Sequence, residues 1–222
     1  MKKFLLVFIL CFALIFCACS NQIDDMVFNN ISDLRINYFY GKNNGVFAEL
    51  SSGQREEQFF YDGISTQKVE CGVLSVGFDE PIFDLAINAE IIIDNISKSI
   101  VLQHSPHEDL FMVDIGKKIN NDANIKIVIN KQIIELKNIS NNWKVDYKSA
   151  INIAVKHFED KIQNLYFNGK LNAEGYLKII SSQDFDMIYW YFSIMDIFGE
   201  RACILIEVNS GEVVSQNMEL ND

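Results

Sequence analysis

Apolar and polar residues alternate along most of the chain between residues 31 and 139. In residues 85–93 every second side chain is apolar, which is the pattern of a strand that buries one face. Turns rich in Asn, Asp and Gly separate such runs, and the turns at residues 94–98 and 130–131 predict hairpins. Short strands at close intervals predict a small antiparallel β-sandwich for this region.

The pattern changes at Asp146, where an acidic residue precedes a run with helical spacing. The apolar positions of this predicted helix are Ala150, Ile151, Ala154, Val155 and Phe158. Three apolar runs at residues 176–180, 188–195 and 202–208 follow and predict strands. We therefore expect an α+β fold, in which an N-terminal antiparallel β-sandwich precedes a module made of a helix and an antiparallel sheet. The expected domains are residues 31–142 and residues 143–222.

One face of the second predicted sheet is apolar and carries tyrosines. Trp190 alternates with Tyr189 and Tyr191, so the two tyrosines should point away from the helix. An apolar face that bears tyrosines either packs on the first domain or meets a partner. Docking within the molecule is the favoured interpretation, and Tyr189 and Tyr191 are the candidate partner-binding residues of the alternative.

The N-terminus has the pattern of an export signal. Two lysines, at positions 2 and 3, precede an uninterrupted apolar run over residues 4–18. A helix of this length spans about 22 Å, which is short of the roughly 30 Å hydrocarbon core of a bilayer. Residues 1–18 are therefore predicted to be a signal peptide and not a membrane-spanning helix.

The end of this run, Ile15-Phe16-Cys17-Ala18-Cys19-Ser20, resembles the bacterial lipoprotein signal with its lipobox. The resemblance implies cleavage before Cys19 and a diacylglyceryl thioether on Cys19. It implies an extracytoplasmic protein that is anchored to a bacterial membrane, with the lipid bilayer as its first partner. Two or more acyl chains make a lasting anchor where one chain binds only marginally. Residues 19–30 would then be a tether.

Residues 145–215 resemble a PepSY domain. The features that carry the resemblance are the helix at residues 148–154, the aromatic strand at residues 189–192 and the run at residues 204–214 after Gly199. The resemblance implies a non-catalytic module that binds or inhibits a protease or another partner.

The net charge of the chain argues against nucleic acid as a partner. The chain has 30 acidic and 19 basic residues, for a formal charge of −11. A protein that binds the phosphate backbone needs clustered Lys and Arg, so nucleic acid is not an expected partner. An acidic body is also repelled by anionic headgroups, so it should stand off the bilayer on its tether.

Histidine and carboxylates come together in only one segment, which contains His104, His107, Glu108 and Asp109. The two histidines are weak candidates for metal ligands, because a metal site needs about three protein ligands in fixed geometry. A solvated loop is the favoured interpretation. No catalytic residues, cofactor or metal site are predicted from the sequence.

Two cysteines, Cys71 and Cys203, would remain beside the acylated Cys19 after the signal is removed. They fall in different predicted domains, and each is flanked by apolar strand residues. Two unpaired thiols, mostly buried, are therefore favoured over a disulfide.

The leading hypothesis is a membrane-anchored envelope lipoprotein that acts as a non-catalytic binding module. Its partner is an unidentified protein, for which the PepSY resemblance suggests a secreted peptidase. The first alternative is a structural or assembly lipoprotein whose β-sandwich binds the partner. The second alternative is a hydrolase with an unrecognised site.

Overall fold

The structure, a computed structural model, describes residues 25–58, 60–106, 109–181 and 187–219. Strands dominate it, at 55% of the residues against 14% in helices. The strands are β1 (Ile31–Asn43), β2 (Val46–Glu56), β3 (Lys68–Phe78), β4 (Ala86–Ile93), β5 (Ile96–His104), β6 (Phe111–Asp114), β7 (Ile125–Ile129), β8 (Gln132–Asn138), β9 (Tyr166–Phe167), β10 (Lys170–Leu171), β11 (Ala173–Ser181), β12 (Ile188–Asp196), β13 (Arg201–Glu207) and β14 (Val213–Glu219). The helices are α1 (Tyr147–His157) and α2 (Glu159–Leu165), with a 3₁₀ turn at Ser140–Asn142 and a helical segment at residues 25–29.

The first eight strands form a closed antiparallel barrel in the order β1-β2-β3-β6-β5-β4-β7-β8. Pairing of Phe39 with Asn138 and of Tyr40 with Lys137 closes it. Its interior is apolar and includes Phe39, Leu50, Leu74, Ile91, Leu102, Phe111, Ile127 and Ile134. The predicted β-sandwich is therefore wrong. Alternation predicted strands with one buried face, but that pattern is the same in a sandwich and in a barrel.

The remaining long strands extend the same sheet and do not form a separate module. Strand β11 pairs in parallel with the beginning of β1, where Ile31 is opposite Gly175 and Leu34 is opposite Leu177. Strands β12, β13 and β14 then follow in antiparallel order. The predicted α+β architecture is thus corrected to a mainly β fold, in which one twelve-stranded sheet contains both the barrel and the C-terminal strands.

Helix α1 covers one face of the C-terminal strands, as its apolar spacing predicted. Asp146 is its N-cap, because the side chain accepts a hydrogen bond of 2.8 Å from the backbone N–H of Ser149. Its buried residues Ala150, Ile151, Ala154 and Val155 pack against β12 and β13. Phe158, the fifth predicted apolar position, ends the helix and is also buried.

Both predicted hairpins are confirmed. Strands β4 and β5 pair around Asp94 and Asn95, and strands β7 and β8 pair around Asn130 and Lys131. All four turn residues have positive φ, between 51° and 68°. Two successive positive φ values match the turn to the twist of the strands, and Asn and Asp accept this conformation more readily than most residues.

Candidate functional site

A cleft of about 530 Å³ lies where the base of the barrel meets the layer that carries α1. We call it the junction cleft. Its volume falls within the range of roughly 300–1,000 Å³ that is usual for ligand sites. Its lining comes from β1, the β6–β7 connection, the 3₁₀ turn, the start of α1 and β12: Ile36, Asn37, Lys118, Asn120, Asn121, Asp122, Ser140, Asn141, Asp146, Tyr147 and Trp190.

An irregularity in strand β1 forms one wall of the cleft. The register of β1 against β2 shifts between Arg35 and Asn37. Asn37 is buried, and its side-chain amide donates a hydrogen bond of 2.6 Å to the carbonyl of Ile119. The N–H of Ile119 donates to Ser52 Oγ at 3.2 Å. These bonds hold the β6–β7 connection against the barrel, so its exposed residues have a fixed base.

The 3₁₀ turn forms the second wall and is also held by hydrogen bonds. Ser140 Oγ donates to the side-chain oxygen of Asn138 at 2.7 Å and accepts from the N–H of Tyr38 at 3.2 Å. The side-chain amide of Asn138 donates to the carbonyl of Asn121 at 3.0 Å. The two walls are therefore tied to each other below the cleft opening.

Aromatic rings and a helix terminus form the third wall. Trp190 is buried, its indole N–H donates to the carbonyl of Val145 at 2.9 Å, and Trp143 packs on it edge to face with ring centroids 5.2 Å apart. Hydrogen bonding from Ser149, first of all from its backbone N–H, lowers the pKa of Asp146. Asp146 therefore carries a negative charge at neutral pH beside the cleft.

Asn120 and Asn141 at the cleft rim are exposed, and Lys118 is half-buried. Within the described part of the chain, no hydrogen bond or ion pair engages the side chains of Lys118, Asn120 and Asn141. A carboxamide both donates and accepts, so these side chains can pair with a neutral polar ligand. The arrangement suits the recognition of a polypeptide backbone, which presents the same two groups.

The predicted tyrosine face lies on the other side of the sheet from the junction cleft. Tyr189 and Tyr191 are half-buried on β12, and burial is the first cause of a raised pKa at Tyr191. A residue of the β2–β3 connection, Tyr61, covers a neighbouring part of this face, with its ring centroid 5.0 Å from that of Tyr176. Docking within the molecule is therefore observed around Tyr61, while a partner role for Tyr189 and Tyr191 stays a prediction.

His104 lies at the end of β5, with Nε2 3.5 Å from a carboxylate oxygen of Asp109 and the ring edge-on to Phe111 at 5.0 Å. His107 and Glu108 fall outside the described residues. Among the residues that the structure describes, no group of three or more His, Cys, Asp or Glu side chains could hold a metal ion.

The cysteines Cys71 and Cys203 are free thiols, as predicted, with Cys71 buried and Cys203 half-buried. Burial raises the pKa of Cys71 to about 11. Cys19 lies outside the described residues. Over the described ranges, from residue 25 to residue 219 with their gaps, no helix is long and apolar enough to cross a membrane.

The sequence did not reveal the cleft residues. Their amides come from three segments that are far apart in the chain, at Asn37, Asn120–Asn121 and Asn141. The chain contains 22 asparagines, so no single one stands out. The sequence pattern that the cleft residues share is a carboxamide next to a predicted strand end or helix start. This pattern is too common to identify a site.

Comparisons of the chain with protein-family models, with curated proteins and with solved structures find no match.

Proposed function

We propose that this chain is a lipid-anchored protein of a bacterial envelope that acts as a non-catalytic binding module, with the junction cleft as its binding surface. The observation that carries the proposal is the junction cleft itself. It combines ligand-sized volume, walls held by hydrogen bonds and exposed carboxamides without partners in the described chain.

The chemistry of the lining favours an extended, uncharged segment of polypeptide. Asn120 and Asn141 can each donate to a carbonyl and accept from an N–H of such a segment. The half-buried ring of Tyr147 offers apolar contact, and the indole of Trp190 lines the cleft as a buried side chain. The lining contains one lysine, Lys118, and two carboxylates, Asp122 and Asp146, so it does not select strongly for either sign of charge. A secreted peptidase, the partner class that the PepSY resemblance implies, could present such a segment.

The anchor is proposed from the sequence, on Cys19 behind Ala18 at the end of the apolar run. An anchored protein has a high effective concentration for any partner that is held at the same membrane surface. A shallow cleft of modest affinity is then sufficient, and the function needs no deep pocket.

The test probes binding with an array of short uncharged peptides and the acylated full chain in detergent. We expect a subset of peptides to bind and to remain intact by mass spectrometry. The double variant Asn120→Ala, Asn141→Ala should bind them about tenfold more weakly, because two paired amides are lost.

The matched control is the double variant Asn152→Ala, Asn164→Ala, which removes two exposed amides from the helices instead. It should bind like the unchanged chain. Equal binding by both double variants would overturn the cleft as the binding surface, as would an array with no bound peptide. Cleavage of bound peptides would overturn the non-catalytic assignment.

A further inference from the structure

The chain enters the fold at one end of the long sheet. Residues 25–29 are helical, and strand β1 begins at Ile31, which is opposite Gly175 near the start of β11. Lys68, at the start of β3, donates from Nζ to the carbonyl of Asn29 at 2.8 Å. Strands β1, β3 and β11 therefore all begin at the same end of the sheet, which we call the entry end.

Three connections meet at the entry end. The side-chain amide of Asn30 donates to the carbonyl of Leu171 at 3.1 Å, which brings in the β9–β10 hairpin. Pairing of Ala173 with Asp196 brings in the β12–β13 turn. The β2–β3 connection packs on that turn at Gly63, which has a φ of +76° and where a Cβ would lie 2.5 Å from the carbonyl carbon of Asp196.

A buried carboxylate holds one of these connections in place. Glu174 is fully buried, and its Oε1 accepts hydrogen bonds of 3.0 Å from the N–H groups of both Asp62 and Gly63. The position of the β2–β3 connection is thus fixed by the body of the sheet. The side chains that it exposes are presented by a defined backbone.

Large apolar side chains project from all three connections at this end. Phe198 is 82% exposed, Phe167 is 67% exposed, Phe60 is 61% exposed and Ile64 is 57% exposed. Single exposed apolar residues are ordinary, but four on three connections of one end concentrate apolar surface there, which water solvates poorly. An apolar hollow of about 100 Å³ between residues 25–29, α2 and the hairpin adds to it.

We infer that the entry end rests in the interface of the bilayer, with Phe60, Ile64, Phe167 and Phe198 among the headgroups and upper acyl chains. This rests on the proposed anchor at Cys19. Five residues lie between Cys19 and Asp25, so the Cα atoms of these two residues are at most about 22 Å apart when the chain is extended. The anchor therefore keeps this end, and no other, near the membrane surface. Aromatic side chains are favoured at that depth.

This orientation differs from the stand-off that the net charge predicts. Repulsion between the acidic body and anionic lipids falls off within a Debye length, about 8 Å at physiological salt. The entry end carries charges of both signs: Lys68 and Lys170 lie there, and Lys161 forms an ion pair of 3.8 Å with Glu200. Contact between the exposed apolar side chains and the lipids can therefore hold the entry end at the membrane surface, while the rest of the acidic protein stays in water.

The chain provides a matched control at its other end. Phe83 and Leu85 are 94% and 86% exposed, in the connection that follows β3. That connection begins beside Phe78, which pairs with Val46 at the end of the sheet opposite to Lys68. These side chains are at least as exposed as those of the entry end, but they lie far from the anchor.

The test uses two tryptophan reporters, Phe198→Trp and Phe83→Trp, in the acylated full chain reconstituted into vesicles of phosphatidylcholine and phosphatidylglycerol. Lipids brominated on their acyl chains quench only a tryptophan that reaches them. We expect the added emission of Phe198→Trp to fall about twofold or more, and that of Phe83→Trp to stay unchanged. Failure of Phe198→Trp to be quenched, or equal quenching of both reporters, would overturn the inference.

Flotation of the unchanged chain and of Cys19→Ser with the same vesicles separates this inference from the anchor. An unchanged chain that does not float would overturn the proposed anchor. A chain that floats while Phe198→Trp remains unquenched would overturn the seating of the entry end alone.

Discussion

The two halves of strand β1 differ in whether they bury charged side chains. In the barrel half, Phe39 is fully buried in an interior of apolar residues. In the half that pairs with β11, Asp33 and Arg35 are also almost fully buried and form an ion pair of 2.6 Å. Lys178 of β11 approaches the same carboxylate at 3.4 Å. One strand thus takes part in an apolar core and in a polar junction.

The difference shows how the two regions are specified. An apolar interior is stabilised by the area that it buries and accepts many packings of similar volume. A buried ion pair gives little net stability, and Asp33 and Arg35 both belong to β1. The polar contacts that depend on how the strands pair are those to β11, from Lys178 to Asp33 and from Ser32 to Glu174. We therefore expect the barrel to provide most of the stability, while the polar junction fixes how β11 joins β1.

The largest effect should come from leaving a buried charge without its neutralising partner. Asp33→Ala removes the carboxylate from the buried Arg35 guanidinium, and we expect a loss of about 3–5 kcal/mol in the free energy of unfolding. The double variant Asp33→Leu, Arg35→Met should recover most of it, because neither charge remains. Urea denaturation of both variants measures the difference. A double variant as unstable as the single one would contradict a junction held mainly by charge pairing.

A cavity in the barrel should cost somewhat less. Leu50 is fully buried in the barrel interior, and Leu50→Ala should lower the free energy of unfolding by about 3 kcal/mol. Leu50→Met, which keeps the volume, should stay within about 1.5 kcal/mol of the unchanged chain. The same denaturation experiment measures both. If the two variants were equally unstable, the barrel would depend on exact shape and not on buried volume.

The next effect concerns a shared hydroxyl at the junction. Ser32 Oγ lies 2.7 Å from a carboxylate oxygen of Glu174 and 3.0 Å from one of Glu56, and all three residues are buried. Ser32→Ala removes this contact from both carboxylates. We expect the free energy of unfolding to fall by about 1–3 kcal/mol. Ser32→Thr, which retains the hydroxyl, is the control for its chemistry. Thermal denaturation compares the variants, and an unchanged midpoint for Ser32→Ala would contradict the role of the hydroxyl.

The smallest effect is expected at the helix cap, outside both regions. Asp146→Ala should lower the free energy of unfolding by about 1 kcal/mol, because the N-cap hydrogen bond from Ser149 is lost. Folding lowers the pKa of Asp146. The carboxylate therefore stabilises the folded state above the unfolded pKa of about 4, and this stabilisation is lost as the pH falls through the lower pKa of the folded state. The difference between Asp146→Ala and the unchanged chain should therefore shrink in acid. A difference that grew in acid would contradict this sign.

Local features of the fold could be predicted from the sequence. The hairpin around Asp94 and the helix behind Asp146 depend on neighbouring residues, and both are present as expected. The closure of the barrel depends on Phe39 pairing with Asn138, and the junction depends on Ile31 pairing with Gly175. These partners are about a hundred or more positions apart, and alternation alone does not say which strands meet.

The candidate site was hidden for the same reason. Asn37, Asn120 and Asn141 converge only because β1 is irregular and the β6–β7 connection is tied to it. In the sequence each is one polar residue in a turn or strand. The tyrosines of the C-terminal sheet were visible because Tyr189 and Tyr191 alternate with apolar neighbours, but they lie on the face opposite to the cleft residue Trp190.

Binding at the junction cleft is tested most directly by a nuclear magnetic resonance titration of the isotope-labelled chain with a peptide found on the array. If the peptide binds the junction cleft, the side-chain amide signals of Asn120 and Asn141 shift, while those of Asn152 and Asn164 stay in place. Shifts confined to residues around Tyr189 and Tyr191 would contradict binding at the junction cleft, since the partner would then bind the opposite face of the sheet.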